Sequence, residues 1–260
     1  RKRYILEQDQ DYMWERVCDE VNEEQSLQTS LSFVTSPDAV ILDRKLVKVH
    51  VTSSELNSET SKPIIDDVLE GSVTFTFYSD NTRKTVQEAW TAPVLDGYAS
   101  INFVPESFKE IPISAVYSGS DLYSSTELVN QDLQVHQRLP KLIAPMVMGN
   151  QGDTDPEYNL NLIDLKVELS YKKKPVNVGK IIFYYGNNQS VGTAVVENGL
   201  ATFKDFTIPS SWGVGEHYLK IKYIDEEDEI YADIDDIIKV FILKVPDHSR
   251  LDSVYYFNSG

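Results

Sequence analysis

Cysteine is almost absent: Cys18 is the one thiol in 260 residues. That excludes an intrachain disulfide framework and a cysteine-rich zinc site. Cationic side chains are also scarce, with 24 Lys and Arg against 41 Asp and Glu and a formal net charge of −17. Neutralising phosphates takes clustered Lys and Arg, so nucleic acid is not an expected partner. No apolar run approaches the ~18 residues of a membrane-spanning helix, so direct membrane insertion is not expected. The basic start Arg1-Lys2-Arg3 has no long apolar segment behind it, and no signal peptide is read there. Signatures of common enzymes are missing too. There is no Walker loop and no G-x-S-x-G, and Gly213-Val-Gly215 lacks the third glycine of a dinucleotide fingerprint. None of His50, His136, His217 and His248 shares a metal-ligand spacing with another. These absences predict a protein that is not an enzyme and has no cofactor.

What the chain does have is material for a core: 41% of its residues are hydrophobic and 11% aromatic, which argues against global disorder. The first 30 residues differ from the rest. Within 7–24, Met13, Trp14, Val17, Cys18 and Val21 recur at spacings of three and four, which predicts an amphipathic helix over roughly 10–22. A sandwich does not need such a helix. Met13, Trp14, Val17 and Val21 are therefore candidate partner-binding residues, facing the first domain, a neighbouring subunit or a larger assembly. The polar face is mainly acidic, which disfavours a membrane-surface role.

From Leu31 onward the period becomes two. Val47, Val49 and Val51 alternate with Lys48 and His50, and Val73, Phe75 and Phe77 alternate with Ser72, Thr74 and Thr76. Leu165, Val167, Leu169 and Tyr171 do the same in the second half. Further short runs follow at 99–104, 111–118, 180–185, 192–196, 200–206, 217–224 and 237–244. Short alternating strands separated by Gly, Asn, Asp and Pro predict antiparallel sandwiches. Asp96-Gly97 and Asn198-Gly199 are tight hairpin signals, because those residues tolerate positive φ.

The same landmarks expose an internal repeat. Gly71 and Gly179 stand 108 residues apart, Gly97 and Gly199 102, Tyr117 and Tyr223 106, and Tyr123 and Tyr231 108. The first copy carries about ten extra residues, which fall in the polar stretch 52–66 and read as a surface loop. Each copy is about 100 residues, the size of an Ig-like sandwich. The boundary falls near 137–159, where Leu142, Ile143, Met146, Val147 and Met148 read as the first strand of the second domain. The expected organisation is a helical or docking segment over 1–30, Ig-like domains over 31–137 and 138–246, and a tail over 247–260.

The repeat pattern resembles the bacterial-type Ig-like domains of large surface proteins. Gly71, Val73, Phe75, Gly97, Ala99, Ala115, Tyr117, Gly119 and Tyr123 carry the likeness, with Gly179, Ile181, Phe183, Gly199, Ala201 and Tyr223 in the second copy. It departs after Tyr223, where a Gly-Ser turn becomes Asp225-Glu-Glu-Asp-Glu229. Similar repeats fill adhesin-like proteins of bacteria and archaea and also decorate tailed-virus particles. The resemblance implies an all-β fold of two tandem Ig-like antiparallel β-sandwiches, preceded here by the short amphipathic helix. On that fold Tyr117 and Tyr223 stand where a tyrosine-corner hydroxyl bonds backbone, and Gly71 and Gly179 open strands where a larger side chain would obstruct.

Remaining chemistry is sparse. Asp153, Asp155 and Glu157 are the metal-site candidates, because spaced carboxylates in a turn suit Ca²⁺; a solvated turn is the favoured reading of them. The acidic run 225–229 with Asp233, Asp235 and Asp236 suits cation binding or the solubility of an exposed hairpin. Asn188-Gln-Ser190 is the single glycosylation sequon. Trp90 and Trp212, read as loop residues, are candidates for stacking on sugars or anchoring a protein. The function expected is a non-enzymatic, extracellular, adhesin-like surface protein. Its tandem domains act as spacers or bind protein or glycan on a cell surface. The alternatives are a virion decoration protein, docked to neighbouring subunits as a symmetric oligomer through its N-terminal segment, and a carbohydrate-binding accessory module of a larger enzyme.

Overall fold

In a computed structural model the described residues are 5–8, 14–17, 26–150 and 162–244, with backbone alone for the first two stretches. The expected helix is not confirmed. Most of 10–22 lies outside the described residues, and the part that is described is extended: β2 (Trp14–Val17) pairs antiparallel with β1 (Ile5–Gln8). Every other regular element among the described residues is a strand. The chain divides into two compact units, 1–136 and 137–260.

Unit 1 holds β3 (Gln28–Phe33), β4 (Asp38–Val40), β5 (Lys45–Leu56), β6 (Pro63–Asp67), β7 (Ser72–Tyr78), β8 (Val86–Pro93), β9 (Tyr98–Phe103), β10 (Ile111–Tyr117) and β11 (Thr126–His136). One sheet is built on β5, which pairs β3, β6 and β9; the other runs β4-β11-β10-β7-β8. The alternation read from the sequence decides which side chains point inward. Val47, Val49 and Val51 face Val73, Phe75, Phe77 and Tyr117 across a dry core, all of them 1% exposed or less. The Phe77 and Phe103 rings stack with centroids 4.0 Å apart. β3 opens at Gln28, and Leu27 bridges to Tyr123.

The polar stretch 52–66 is not a loop. β5 continues to Leu56, turns through 57–62 and returns as β6, so the extra length of the first copy is a ladder-paired hairpin. Ser, Asn and Glu give a weak strand signal. Cross-strand pairing to the end of an established strand supplies what intrinsic preference does not.

Unit 2 holds β12 (Lys141–Ile143), β13 (Val147–Asn150), β14 (Leu162–Tyr171), β15 (Lys174–Pro175), β16 (Lys180–Tyr185), β17 (Gln189–Glu197), β18 (Leu200–Thr207), β19 (Gly215–Ile224) and β20 (Ile234–Leu243). β12, β14 and β18 form one layer, and β17, β16, β19, β20 and β13 the other, with β17 reaching β18 at Val196 and Glu197. The segment expected as one leading strand is split. β12 pairs β14 and β13 pairs β20 in parallel, with Pro145 between them. Unit 1 makes the same crossing, from β3 on β5 to β4 on β11, at Pro37. Proline lacks the N–H a ladder needs, so each marks the point where the chain leaves one sheet for the other.

The repeat extends to individual backbone bonds. Val68 N–H donates to Val51 O, Gly97 N–H to Val68 O, and Val51 N–H to Gly97 O, at 2.7–3.1 Å. Leu169, Val176 and Gly199 close the same triangle in unit 2, at 2.8–3.1 Å. The hairpins meet their sequence expectation, with φ of 49° and 83° at Asp96 and Gly97 and 48° and 78° at Asn198 and Gly199.

Candidate functional site

The residues singled out from the sequence are not gathered in one place. Asp153, Asp155 and Glu157, the candidate Ca²⁺ ligands, lie outside the described residues, as do Met13, Val21 and Cys18. Trp14 and Val17 sit in β2, paired with Gln8 and Ile5. Among the described residues no group of three or more His, Cys, Asp or Glu is arranged to hold a metal ion. None of their helices is long and apolar enough to cross a membrane.

The histidines make local contacts. His50 packs on the outward face of β5, stacked 4.4 Å from the Tyr98 ring, with its Nε2 2.6 Å from Asp67 Oδ1. His136 Nε2 lies 2.8 Å from Asp38 Oδ1, and this bond is the first cause holding the Asp38 carboxyl below its ordinary pKa. His217 stacks on Trp212 and contacts Gly213 O at 2.7 Å. Trp90 is not a loop residue: it sits on β8, the edge strand of its sheet, and is 52% exposed. Trp212 does lie in the 208–214 connection, where it packs against Tyr185 and Phe206 at the rim of the core.

The acidic turn of unit 2 has an internal role. Asp225 is buried, and its carboxylate accepts the backbone N–H groups of Asp228 (3.4 Å), Ile230 (3.0 Å) and Tyr231 (3.1 Å). In unit 1 the Ser120 hydroxyl accepts from Leu122 and Tyr123, both at 3.2 Å. The turn whose sequence departs from the repeat thus keeps its device: a side-chain oxygen ties down the strand entry, and Asp reaches across the longer turn.

The outward face of β16, β19 and β20 is the most differentiated surface of unit 2. Its register aligns Ile182, Lys222 and Asp235 in one cross-strand row and Tyr184, Lys220 and Ile237 in the next. Their neighbours in sequence, Ile181, Phe183, Ile221 and Ile238, fill the core, so these rows point to solvent. A groove of about 620 Å³ runs along them, lined by Tyr184, Asn188, Lys220, Lys222, Asp235 and Ile237. A second cleft, about 490 Å³, shares Tyr184 and Lys222 and continues to Glu229 and Asp233. Lys222 Nζ lies 3.7 Å from Asp233 Oδ2. The positions equivalent by pairing in unit 1 are Thr74 opposite Val116 and Thr76 opposite Ser114. There the Tyr78 hydroxyl meets Ser114 Oγ at 3.1 Å. On this face unit 1 presents Thr74, Thr76, Val116 and, at its end, the Tyr78 ring with Arg83 over it; unit 2 presents Ile182, Tyr184, two ammonium groups and carboxylates.

By sequence the chain matches no protein-family model and no curated protein. By structure it is similar to the fibronectin(III)-like modules of CbhA from Clostridium thermocellum, at 14% identity and a TM-score of 0.27, over 83% of this chain and 95% of that one. It is also similar to a tetra-tandem repeat in the extending region of a large adhesion protein, at 14% identity and a TM-score of 0.33, over 84% of this chain and 49% of that one. A third likeness is to a 1.5-MDa bacterial ice-binding adhesin, at 10% identity and a TM-score of 0.32, over 86% of this chain and 68% of that one. This chain therefore spans about half the length of the adhesion-protein structure. None of the three bears on which surface is used.

The groove was not among the sites read from the sequence, although a signal for it exists. In Lys180-Ile-Ile-Phe-Tyr184 the outward parity carries Ile182 and Tyr184 after Lys180, whereas Ser72-Val-Thr-Phe-Thr76 keeps its outward parity wholly polar. An apolar residue at an outward position of a half-buried strand marks something beyond the core.

Proposed function

We propose that this chain is a non-enzymatic part of an adhesin-like surface protein, located outside the cell or on its surface, whose tandem Ig-like sandwiches project a binding surface. The observation that carries this reading is the repetition itself. Each unit encloses its own core and closes the same three-bond backbone triangle, Val51–Val68–Gly97 in one and Leu169–Val176–Gly199 in the other. Copies that share a scaffold but differ on their outer faces suit a protein that repeats a module and specialises its surface. The Tyr184 face of unit 2 and the Thr74–Thr76 face of unit 1 differ in that way.

The test uses the whole chain coupled to micrometre-scale beads, with albumin-coated beads as the control, presented to bacterial and epithelial cell surfaces. The expected result is saturable bead adhesion that free chain competes away. Adhesion no greater than the albumin control on both surfaces would overturn the reading, as would turnover of glycoside, ester or phosphate reporter substrates by the pure chain.

A further inference from the structure

Resting on that reading, we infer that the Tyr184 groove of unit 2 is the binding surface, and that its ligand is a short stretch of neutral glycan. A sugar ring has one apolar C–H face and a rim of hydroxyls, each both donor and acceptor. A site for it needs an aromatic plane and side chains of both hydrogen-bonding kinds, and Tyr184 supplies the ring, on β16 beside Lys220. Lys220 and Lys222 supply donors, Asp235 an acceptor, and the Asn188 amide both. Lys220 and Asp235 have no salt-bridge partner among the described residues, so that capacity is unspent. Ile182, two residues before Tyr184 on β16, and Ile237, across β19 on β20, add apolar surface to the same face. The volume lies within the ~300–1,000 Å³ typical of small-molecule sites.

Charge selects within the glycans. The two ammonium groups of the groove are matched by the carboxylates of Asp235 and Asp233, and Asp225, Glu226 and Glu229 border its continuation. An anionic polymer meets no net attraction there and repulsion beside it. An extended peptide adding as a strand is disfavoured for a different reason. β16 is paired with β17 and β19, and β19 with β16 and β20, so the backbone under Tyr184, Lys220 and Lys222 has no open edge; among the described residues β20 is paired with β13 only from Val240 onward, so a strand could add at the groove's β20 rim but not beneath Tyr184.

The test is a titration of the isotope-labelled whole chain, followed by amide chemical shifts. The probes are cellohexaose, xylohexaose, laminarihexaose and mannohexaose, with polygalacturonate and a casein digest as the anionic and peptide alternatives. At least one neutral sugar is expected to give saturable shifts centred on Tyr184, Lys220, Lys222 and Ile237. Tyr184→Ala should weaken that binding by about tenfold or more, Tyr184→Phe should keep most of it, and Thr76→Ala in unit 1 should leave it unchanged. All of these positions are outward-facing, and retention of the remaining spectrum confirms folding. No saturable shift on this face with any of the four sugars overturns the inference. So does unchanged affinity in Tyr184→Ala, and so does tighter binding of polygalacturonate or the casein digest. Beads that adhere equally well with Tyr184→Ala chain would sink this groove and leave the adhesin reading intact; sugar binding without bead adhesion would do the reverse.

Discussion

Gly71 and Tyr117 compete for one volume: a Cβ built on Gly71 would lie 2.6 Å from the Cε2 of the tyrosine and 2.8 Å from its hydroxyl oxygen. The hydroxyl donates to the carbonyl of Glu70, the residue before the glycine, at 3.0 Å. Gly179 and Tyr223 repeat the arrangement, with the Tyr223 hydroxyl donating to Val178 O at 2.9 Å. Both glycines have φ near +86°, at 85° and 87°. The glycine is required twice over, once by its backbone and once by the ring lying against it.

Gly71→Ala and Gly179→Ala should therefore each be destabilising by at least about 2 kcal/mol, from left-handed strain and overpacking together. Gly179→Ala should be the worse of the two, because its Cβ also meets the rigid backbone oxygen of Ile224 at 2.5 Å. Urea denaturation of both variants checks the size and the order; an alanine at either site that unfolds with the parent would refute the shared-volume account.

Burial raises the pKa of both corner tyrosines above the ordinary value of 10, Tyr223 further than Tyr117. Above about pH 10 the unfolded chain gives up these phenolic protons while the folded chain keeps them, so the unfolded state is favoured as pH rises. Below the unfolded pKa the contribution is fully present. Melting temperature should be flat from neutral pH to about 9.5 and then fall, and Tyr223→Phe should reduce the steepness of that fall. The same variant loses one buried hydrogen bond and should cost about 1 kcal/mol at neutral pH. Calorimetry of parent and variant from pH 7 to 11 measures both effects.

Phe75 and Phe183 occupy equivalent core positions at 1% and 0% exposure. Phe75→Ala and Phe183→Ala should each cost about 3–5 kcal/mol, as truncation of a buried aromatic does. The Phe183 ring also stacks on Phe203, with centroids 5.4 Å apart. Equilibrium unfolding by tyrosine and tryptophan fluorescence gives the values, and loss below about 1 kcal/mol would place these rings outside the core.

Asp225→Ala should destabilise unit 2 by about 1–3 kcal/mol, since three backbone N–H groups lose their acceptor. Changing its exposed neighbours Glu226 and Glu227 to Ala should move stability by less than about 0.5 kcal/mol. Amide hydrogen exchange at Ile230 and Tyr231 reads the difference directly: protection should drop in Asp225→Ala alone.

Much of this architecture is local, and what is local is legible in the sequence. Val47–Val51 and Val73–Phe77 alternate because a strand alternates, and Asp96-Gly97 turns because those two residues accept positive φ. The tyrosine corners and their glycines were visible through repetition, since Tyr117 and Tyr223 stand at nearly equal distances, 46 and 44 residues, from Gly71 and Gly179. The stretch 52–66 was not legible. Its Ser, Asn and Glu carry little strand preference, and the ladder to β5 makes it a hairpin. The helix expected over 10–22 is not confirmed: most of it lies outside the described residues, and Trp14–Val17 pairs with Ile5–Gln8, a partner that a periodic apolar pattern is silent about. Asp225 read as one charge among many until the fold buried it against three donors.

The sequence by itself determined the class, the repeat and the inward faces, because each follows from side chains within a few residues of one another. The tertiary structure alone decided the groove. Tyr184, Lys220 and Ile237 lie far apart along the chain, and cross-strand register brings them side by side. Register is set by how a whole sheet buries its other face, so the outer surface it assembles cannot be read one strand at a time.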